Sequence, residues 1–227
     1  MEWPSVSTVI CTANRPERAA RAIAQWDLQD YPGRRELVLV DSGSDLPCEV
    51  GDYVKAHGRL LSMSPGTPLG TALNMGCHIS TGEILQKWDD DDLYRPGFLA
   101  RSARALLEGG SHWGGAAVWG RYLVAVDQTI RLVANGMLAG GTMALWRATW
   151  DQVPFRDIPS KVDAGLWEDL RARNLPVEVV RDSPELYTYV RHPGNMWRTI
   201  RAGWGSQPVD VPVDHVFRAC PVWEVRR

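Results

Sequence analysis

The sequence predicts an α/β protein, a single Rossmann-like domain whose mostly parallel central sheet is flanked by helices and extended by a small antiparallel addition. Three observations predict it. Apolar, β-branched runs of strand length alternate with helix-forming stretches through the first hundred residues. One of those runs, ELVLVD (36–41), is continuously apolar, the mark of a strand covered on both faces. The alternation then lapses near a Gly-rich break, after which short strand-like runs follow one another.

The run VSTVICT (6–12) is the first strand, and RPERAARAIAQWDLQ (15–29) follows as a helix with apolar residues at Ala19, Ala22, Ile23 and Trp26. Pro16 stands where a first helical turn accepts it. YPGRR is a turn and ELVLVD (36–41) a second strand, which completes a βαβ unit. The pattern repeats with a helix near 47–57, a short strand at RLLSM, a Pro/Gly loop at 65–70, a helix at 69–80 and a strand at EILQKW (83–88). Pro96 opens a further helix (96–108), and GGSHWGG breaks the pattern. AAVWGRYLVAV and TIRLVAN read as paired strands. GGTMALWRATWDQV (140–153) turns into a short helix, SKVDAGLWEDLRARN (160–174) into a longer one, and VEVV and LYTYV into late strands. Beyond Gly203 the chain is rich in Pro and Val without clear periodicity. No internal repeat or long linker appears, so 1–227 reads as one domain with a binding half at 1–92 and a second half at 93–227.

A net charge of −2 argues against a surface built throughout for nucleic acid. Cys11, Cys48, Cys77 and Cys220 are scattered, with no C-x-x-C pair and no His at zinc-ligand spacing, so they read as free thiols of a reducing compartment. The N-terminus has neither a basic leader nor a signal-peptide core, and no apolar run approaches membrane-spanning length. A cytoplasmic protein with no transmembrane segment is the expectation.

The stretch QKWDDDDLYRPG (86–97) sets four carboxylates in a row between an apolar strand and a proline. Mutual repulsion makes such a cluster stable only when it is well solvated or faces something positive. A solvated loop that caps the next helix is one reading and a cation site the other. The position favours a site, because parallel sheets bind ligands at the carboxyl ends of their strands, where both Asp41 and Asp89 fall. A calcium hand starting at Asp89 needs Gly sixth and Glu twelfth, where this chain has Tyr94 and Ala100. There is no G-x-x-x-x-G-K-[ST] loop, no G-x-G-x-x-G after the first strand and no G-x-S-x-G elbow. What survives is a D-x-D pair, Asp89 and Asp91, whose oxygens suit Mg2+ or Mn2+ shared with a diphosphate. Gly140 and Gly141 leave room for backbone N–H groups to approach a phosphate or acceptor, or simply form a tight turn. Trp88, Trp113, Trp146, Trp167 and Trp197 are either sugar platforms or core.

The runs VSTVICTANRP, ELVLVDSGSD, GTALNMGCHISTGEILQKWDDDDLYRPGFL, GGTMALWR, WEDLRAR and YVRHPGNMW resemble, in order and spacing, the family 2 glycosyltransferases of GT-A fold, across about residues 5–200. The resemblance implies an inverting, metal-dependent transferase that uses Mn2+ or Mg2+ and a nucleotide-sugar donor, a UDP-sugar first among the candidates. It places Thr12, Asn14 and Arg15 at the nucleotide, together with Asp41 and Ser42. Ser42 stands where the family commonly has a second acidic residue that contacts the base. Asn74 lies eight residues before Gly82, as in the family, and is counted with Asp90 and Gly141 among the donor-binding residues. Asp89 faces ribose or metal, Asp91 ligates the metal at the diphosphate, and His192 stands near the metal. By the same resemblance Asp169 is the catalytic base and Glu168 orients the acceptor or its partner base; a carboxylate that accepts the proton of an attacking hydroxyl is what the chemistry needs. The acceptor is left open among saccharide, lipid-linked glycan, peptide, small molecule and DNA bearing a hydroxylated base. That last idea rests on the Arg and Trp of RHPGNMWRTIRAGWG. A nucleotidyltransferase of similar fold, or a non-catalytic nucleotide-sugar or glycan-binding module, is the alternative.

Overall fold

The computed structural model describes residues 2–109, 114–126, 129–134 and 138–192, and the backbone of 206–208. In chain order the strands and helices are β1 (Val6–Thr12), α1 (Pro16–Asp27), β2 (Arg35–Asp41), α2 (Cys48–His57), β3 (Gly58–Ser62), α3 (Leu69–Ile79), β4 (Ile84–Asp89), β5 (Leu93–Tyr94), α4 (Phe98–Glu108), β6 (Ala116–Trp119), β7 (Tyr122–Val126), β8 (Thr129–Val133), β9 (Ala139–Trp146), α5 (Arg147–Gln152), α6 (Val162–Ala172), β10 (Val177–Val180), β11 (Tyr187–Val190) and β12 (Ser206–Pro208).

Seven strands form the central sheet in the order β10-β6-β9-β4-β1-β2-β3. β1 pairs in parallel with β2 and β4, and β3 with β2, whereas β9 runs antiparallel to both β4 and β6. The alternation of the buried strands sorts their side chains onto two faces. Val6, Ile10, Leu37 and Leu39 pack with the core under α1, α2 and α4, while Val9, Val38 and Val40 pack with the core under α3 and α6. α3 reaches the sheet so closely at Gly76 that a β-carbon there would lie 2.5 Å from Val9 Cγ1.

The antiparallel addition is larger than the sequence predicts, a five-stranded sheet in the order β12-β8-β7-β11-β5. Two readings of the sequence change. The run at 116–126 is not one strand: Gly120 and Arg121 carry the chain from β6 in the first sheet to β7 in the second, and β7 pairs antiparallel with β8. The segment opening with Gly140 is mainly strand β9, inserted between β4 and β6, with only the short α5 after it. Trp88 and Trp146 belong to the core, while Trp113, Trp197 and the segment after Gly203, apart from the backbone of 206–208, lie outside the described residues. Cys11, Cys48 and Cys77 are free thiols, and Cys220 is outside the described residues. Among the described residues no helix is long and apolar enough to cross a membrane.

Candidate active site

The carboxyl ends of β1, β2 and β4 lie side by side, with Thr12 in register with Asp41 and Cys11 with Asp89. Parallel pairing therefore gathers the loops after all three strands at one edge. The loop after β1 turns through Asn14, which takes a left-handed backbone (φ 52°), and its Oδ1 accepts the Ser44 N–H at 3.2 Å. Asp41 Oδ1 accepts the Gly43 N–H at 2.8 Å, and the Ser42 N–H donates to the Thr12 carbonyl at 2.9 Å. Thr12, Asn14, Arg15, Asp41 and Ser42 thus line one edge of the sheet.

The four aspartates of the next turn have four different environments. Asp89, a third exposed, receives the Lys87 ammonium on Oδ1 at 2.5 Å. Asp90 is buried; its oxygens accept Thr12 Oγ1 at 2.8 Å and pair with Arg15 Nη2 at 3.1 Å. Burial lifts its carboxyl to about 6 against the opposing pull of Arg15. Asp91 Oδ2 lies 3.0 Å from His192 Nε2, 3.6 Å from Arg15 Nη1 and 3.7 Å from Arg18 Nη1. Asp92 is wholly buried, accepting the Tyr187 hydroxyl at 2.5 Å and the Val190 N–H at 2.9 Å, and burial pushes its carboxyl well up. The solvated-turn reading fails for Asp90 and Asp92, which are held by protein donors.

His192 Nε2 also lies 2.9 Å from Arg18 Nη1. One imidazole nitrogen offers either a hydrogen or a lone pair, so it serves the guanidinium or the carboxylate, not both. Asp91 Oδ2 and the Nε2 lone pair, once that lone pair is released from Arg18, are a donor set that suits a divalent cation of borderline hardness. Among the described residues no three His, Cys, Asp or Glu side chains converge to hold a metal alone, so the remaining ligands would have to come from donor and water. Asp89 is turned instead toward Lys87.

Asp163, in the first turn of α6, is a residue the sequence reading missed. Its Oδ1 is buried and lies 3.4 Å from Lys87 Nζ, without a hydrogen bond. Lys87, 4% exposed, thus lies between carboxylates from β4 and α6. Burial works to neutralise the amine, but Asp163 and Asp89 outweigh it and raise its proton affinity. The glycine pair of β9 makes the approach possible. A β-carbon on Gly140 would strike the Asp163 carboxylate, and one on Gly141 would lie 2.6 Å from Asp89 Oδ2. What approaches the glycines is a carboxylate on each. The available sequence signal was Lys87 itself, a charge in the middle of an apolar strand run.

Three residues expected at the site, Asp169, Glu168 and Asn74, are engaged in other contacts. Asp169 lies six residues beyond Asp163, about 9 Å further along the helix and about a third of a turn round it. Both its oxygens are taken by Arg156, at 2.9 and 2.8 Å, and Glu168 Oε2 accepts a third bond from the same guanidinium at 2.9 Å. Those bonds hold Asp169 below the usual carboxylate range. The pair is a surface clasp between the α5–α6 loop and α6. Asn74 is likewise spent on structure: its Oδ1 accepts Phe155 N–H and Trp150 Nε1, and its Nδ2 donates to the Phe155 carbonyl at 2.7 Å. A cavity of about 280 Å³ lined by Trp3, Pro4, Glu83, Leu106 and Trp146 opens at the amino ends of β1 and β4, away from this chemistry.

An open α/β sheet with loops and a carboxylate turn gathered at its carboxyl edge, joined to a second, mainly antiparallel sheet, is the GT-A class of fold. The family model for Glycosyl transferase family 2 matches residues 7–121, just over half of the chain. The protein belongs to glycosyltransferase family 2. A search of curated proteins gave no match. Among solved structures, S. aureus TarS 1–349 superposes with a TM-score of 0.64 at 15% identity, covering 84% of this chain and 60% of that one. The same protein in complex with UDP-GlcNAc gives 0.63 at 14% identity, over 86% and 60%. The mannosyltransferase PcManGT from Pyrobaculum calidifontis, in complex with GDP-Man and Mn2+, gives 0.63 at 19%, over 84% and 57%. The chain spans about three fifths of the length of these structures.

Proposed function

We propose that the protein transfers a sugar from a nucleoside-diphosphate sugar to an acceptor hydroxyl, with inversion at the anomeric carbon, and that Asp163 rather than Asp169 is the base. The observation that carries this reading is the placement of Asp163 against Asp89 through one shared ammonium, at the sheet edge where the nucleotide loops meet.

In this reading the acceptor oxygen attacks the anomeric carbon and gives its proton to Asp163, while the bond from that carbon to the diphosphate oxygen breaks on the opposite side. Arg15 and Arg18 lie beside Asp91 and supply positive charge where the diphosphate leaves. Asp91 and His192 would hold Mn2+ or Mg2+, which when bound neutralises charge on the departing diphosphate. Thr12, Asn14, Arg15, Asp41 and Ser42 form the nucleotide side of the site. The bound UDP-GlcNAc and GDP-Man of the similar structures make those two donors the first to try. The acceptor is a hydroxyl compound; the Arg/Trp stretch that motivated DNA lies almost wholly outside the described residues.

The test has two parts. A thermal-shift panel of UDP, GDP, dTDP and CDP, with Mn2+ or EDTA, is expected to single out one nucleotide whose shift needs Mn2+ and is lost in Asp91→Ala. Acceptor-free release of nucleoside diphosphate from the matching nucleotide sugar is then expected to fall at least 100-fold in Asp163→Asn and by less than threefold in Asp169→Asn. The reverse order of the two variants would return the base to Asp169.

A further inference from the structure

We infer that Lys87 is a positioning residue for this reaction, which fixes the Asp163 carboxylate in its place beside Asp89. The inference rests on the proposed role of Asp163 and assigns a task to a residue outside the nucleotide and metal contacts.

Lys87 is one of only three lysines among 25 basic residues, and Lys55 and Lys161 are exposed. Its strand position turns its stem onto the same face as Leu85, among Val9, Leu73, Cys77 and Phe155. An apolar side chain would fill that position as well. A lysine there buries a charge, which is tolerable only with close partners. Its partners are two carboxylates on different elements, at 2.5 Å on β4 and 3.4 Å on α6.

Among the described residues, Lys87 is the one cation within ion-pair distance of the Asp163 carboxylate. The residue faces glycine at Gly140, which supplies room but no donor, and its Oδ1 receives no hydrogen bond. Without the ammonium, two like charges at the edge of one sheet would repel, and Asp163 would be free to swing outward into solvent. An ammonium is suited to the task in a way a guanidinium is not, because it is compact and can be shared between two acceptors that are not coplanar. A displacement of about 1 Å at a base is enough to cost on the order of 100-fold in rate.

The experiment pairs a coupling measurement with a kinetic one. Lys87→Met keeps the length of the side chain and removes the charge; Lys87→Arg keeps the charge and moves it. In urea unfolding, Lys87→Met is expected to lower the folding equilibrium at least tenfold in the wild-type background and clearly less in the Asp163→Asn background. In acceptor-free cleavage of UDP-GlcNAc or GDP-Man with Mn2+, kcat is expected to fall at least tenfold for Lys87→Met, with the Kd for UDP or GDP within threefold of wild type. Lys87→Arg should give an intermediate kcat, and it decides the matter if Lys87→Met does not fold. Equal effects of Lys87→Met in both backgrounds, an unchanged kcat, or a kcat that falls only in step with lost nucleotide binding would each overturn the inference. Full activity of Asp163→Asn would instead overturn the base assignment, and the coupling result would remain as a separate fact.

Discussion

Gly140 fixes how near a carboxylate can come to the sheet edge, because a methyl group at that position would occupy the place of the Asp163 side chain. Gly140→Ala is therefore expected to push Asp163 off Lys87. Acceptor-free donor cleavage should fall more than tenfold while the nucleotide thermal shift persists; full activity would mean that Asp163 does not need this place. The same scale shows why periodicity alone does not choose between Asp163 and Asp169. Val162, Leu166 and Leu170 form the buried stripe of α6, and Asp163 and Asp169 flank it on opposite sides. Sequence periodicity reveals the stripe but not which flank faces the strand ends, and the more conspicuous acidic pair was on the other one. The gathering of Thr12, Asn14, Arg15, Asp41 and Ser42 was legible because each ends or closely follows a strand, and parallel pairing alone brings such positions together.

At the scale of elements, β1 to β4 with their helices could be read almost to the residue, since a run apolar on both faces has few other uses. β9 was obscured by the glycines that open it, because glycine argues for a turn until a close neighbour explains it. The joint between β6 and β7 was hidden for a related reason: the apolar run continues across Gly120 although the chain changes sheets there. Glu36 exemplifies how the readable half is tied together. From β2 it accepts Ser7 Oγ of β1, Thr81 N–H of the α3–β4 turn at 2.7 Å and Arg59 Nε of β3 at 3.0 Å. Burial opposes its charge, but these donors outweigh burial and hold its carboxyl below the usual range. Because the folded-state value is depressed, the stabilisation is complete above the unfolded glutamate value of about 4.3 and fades as pH falls through the folded one. Glu36→Gln should thus cost about 1–3 kcal/mol at pH 7, and the deficit should shrink below about pH 4. Urea titrations at pH 7 and 3.5 check this, and a deficit equal at both would refute it.

For the whole molecule, the acidic turn is the joint between the two sheets. β4 of the seven-stranded sheet ends at Asp89, and β5 of the five-stranded sheet begins at Leu93, where it pairs antiparallel with β11. The turn must do chemistry on its open side and hold the second sheet on its buried side, and its four carboxylates divide that work. Asp92 has the mechanical share. Its two oxygens take the Tyr187 hydroxyl and the Val190 N–H, which pins β11 to the turn two residues before His192, the partner of Asp91. Desolvation makes the charge itself a burden there, with Asp91 and Asp89 adding to it, so shape and acceptor oxygens matter more than ionisation. Asp92→Asn keeps an acceptor for Val190 and is expected to be close to neutral in stability. Asp92→Ala leaves two buried donors unmatched, at about 1–3 kcal/mol for each group stranded, partly offset by removal of the buried acid. Hydrogen exchange should localise the loss, with amides 187–190 opening more readily in Asp92→Ala while those of β1 keep their protection. If β1 and β11 lost protection together, the two sheets would be one cooperative unit, and the turn would not be the joint that holds them.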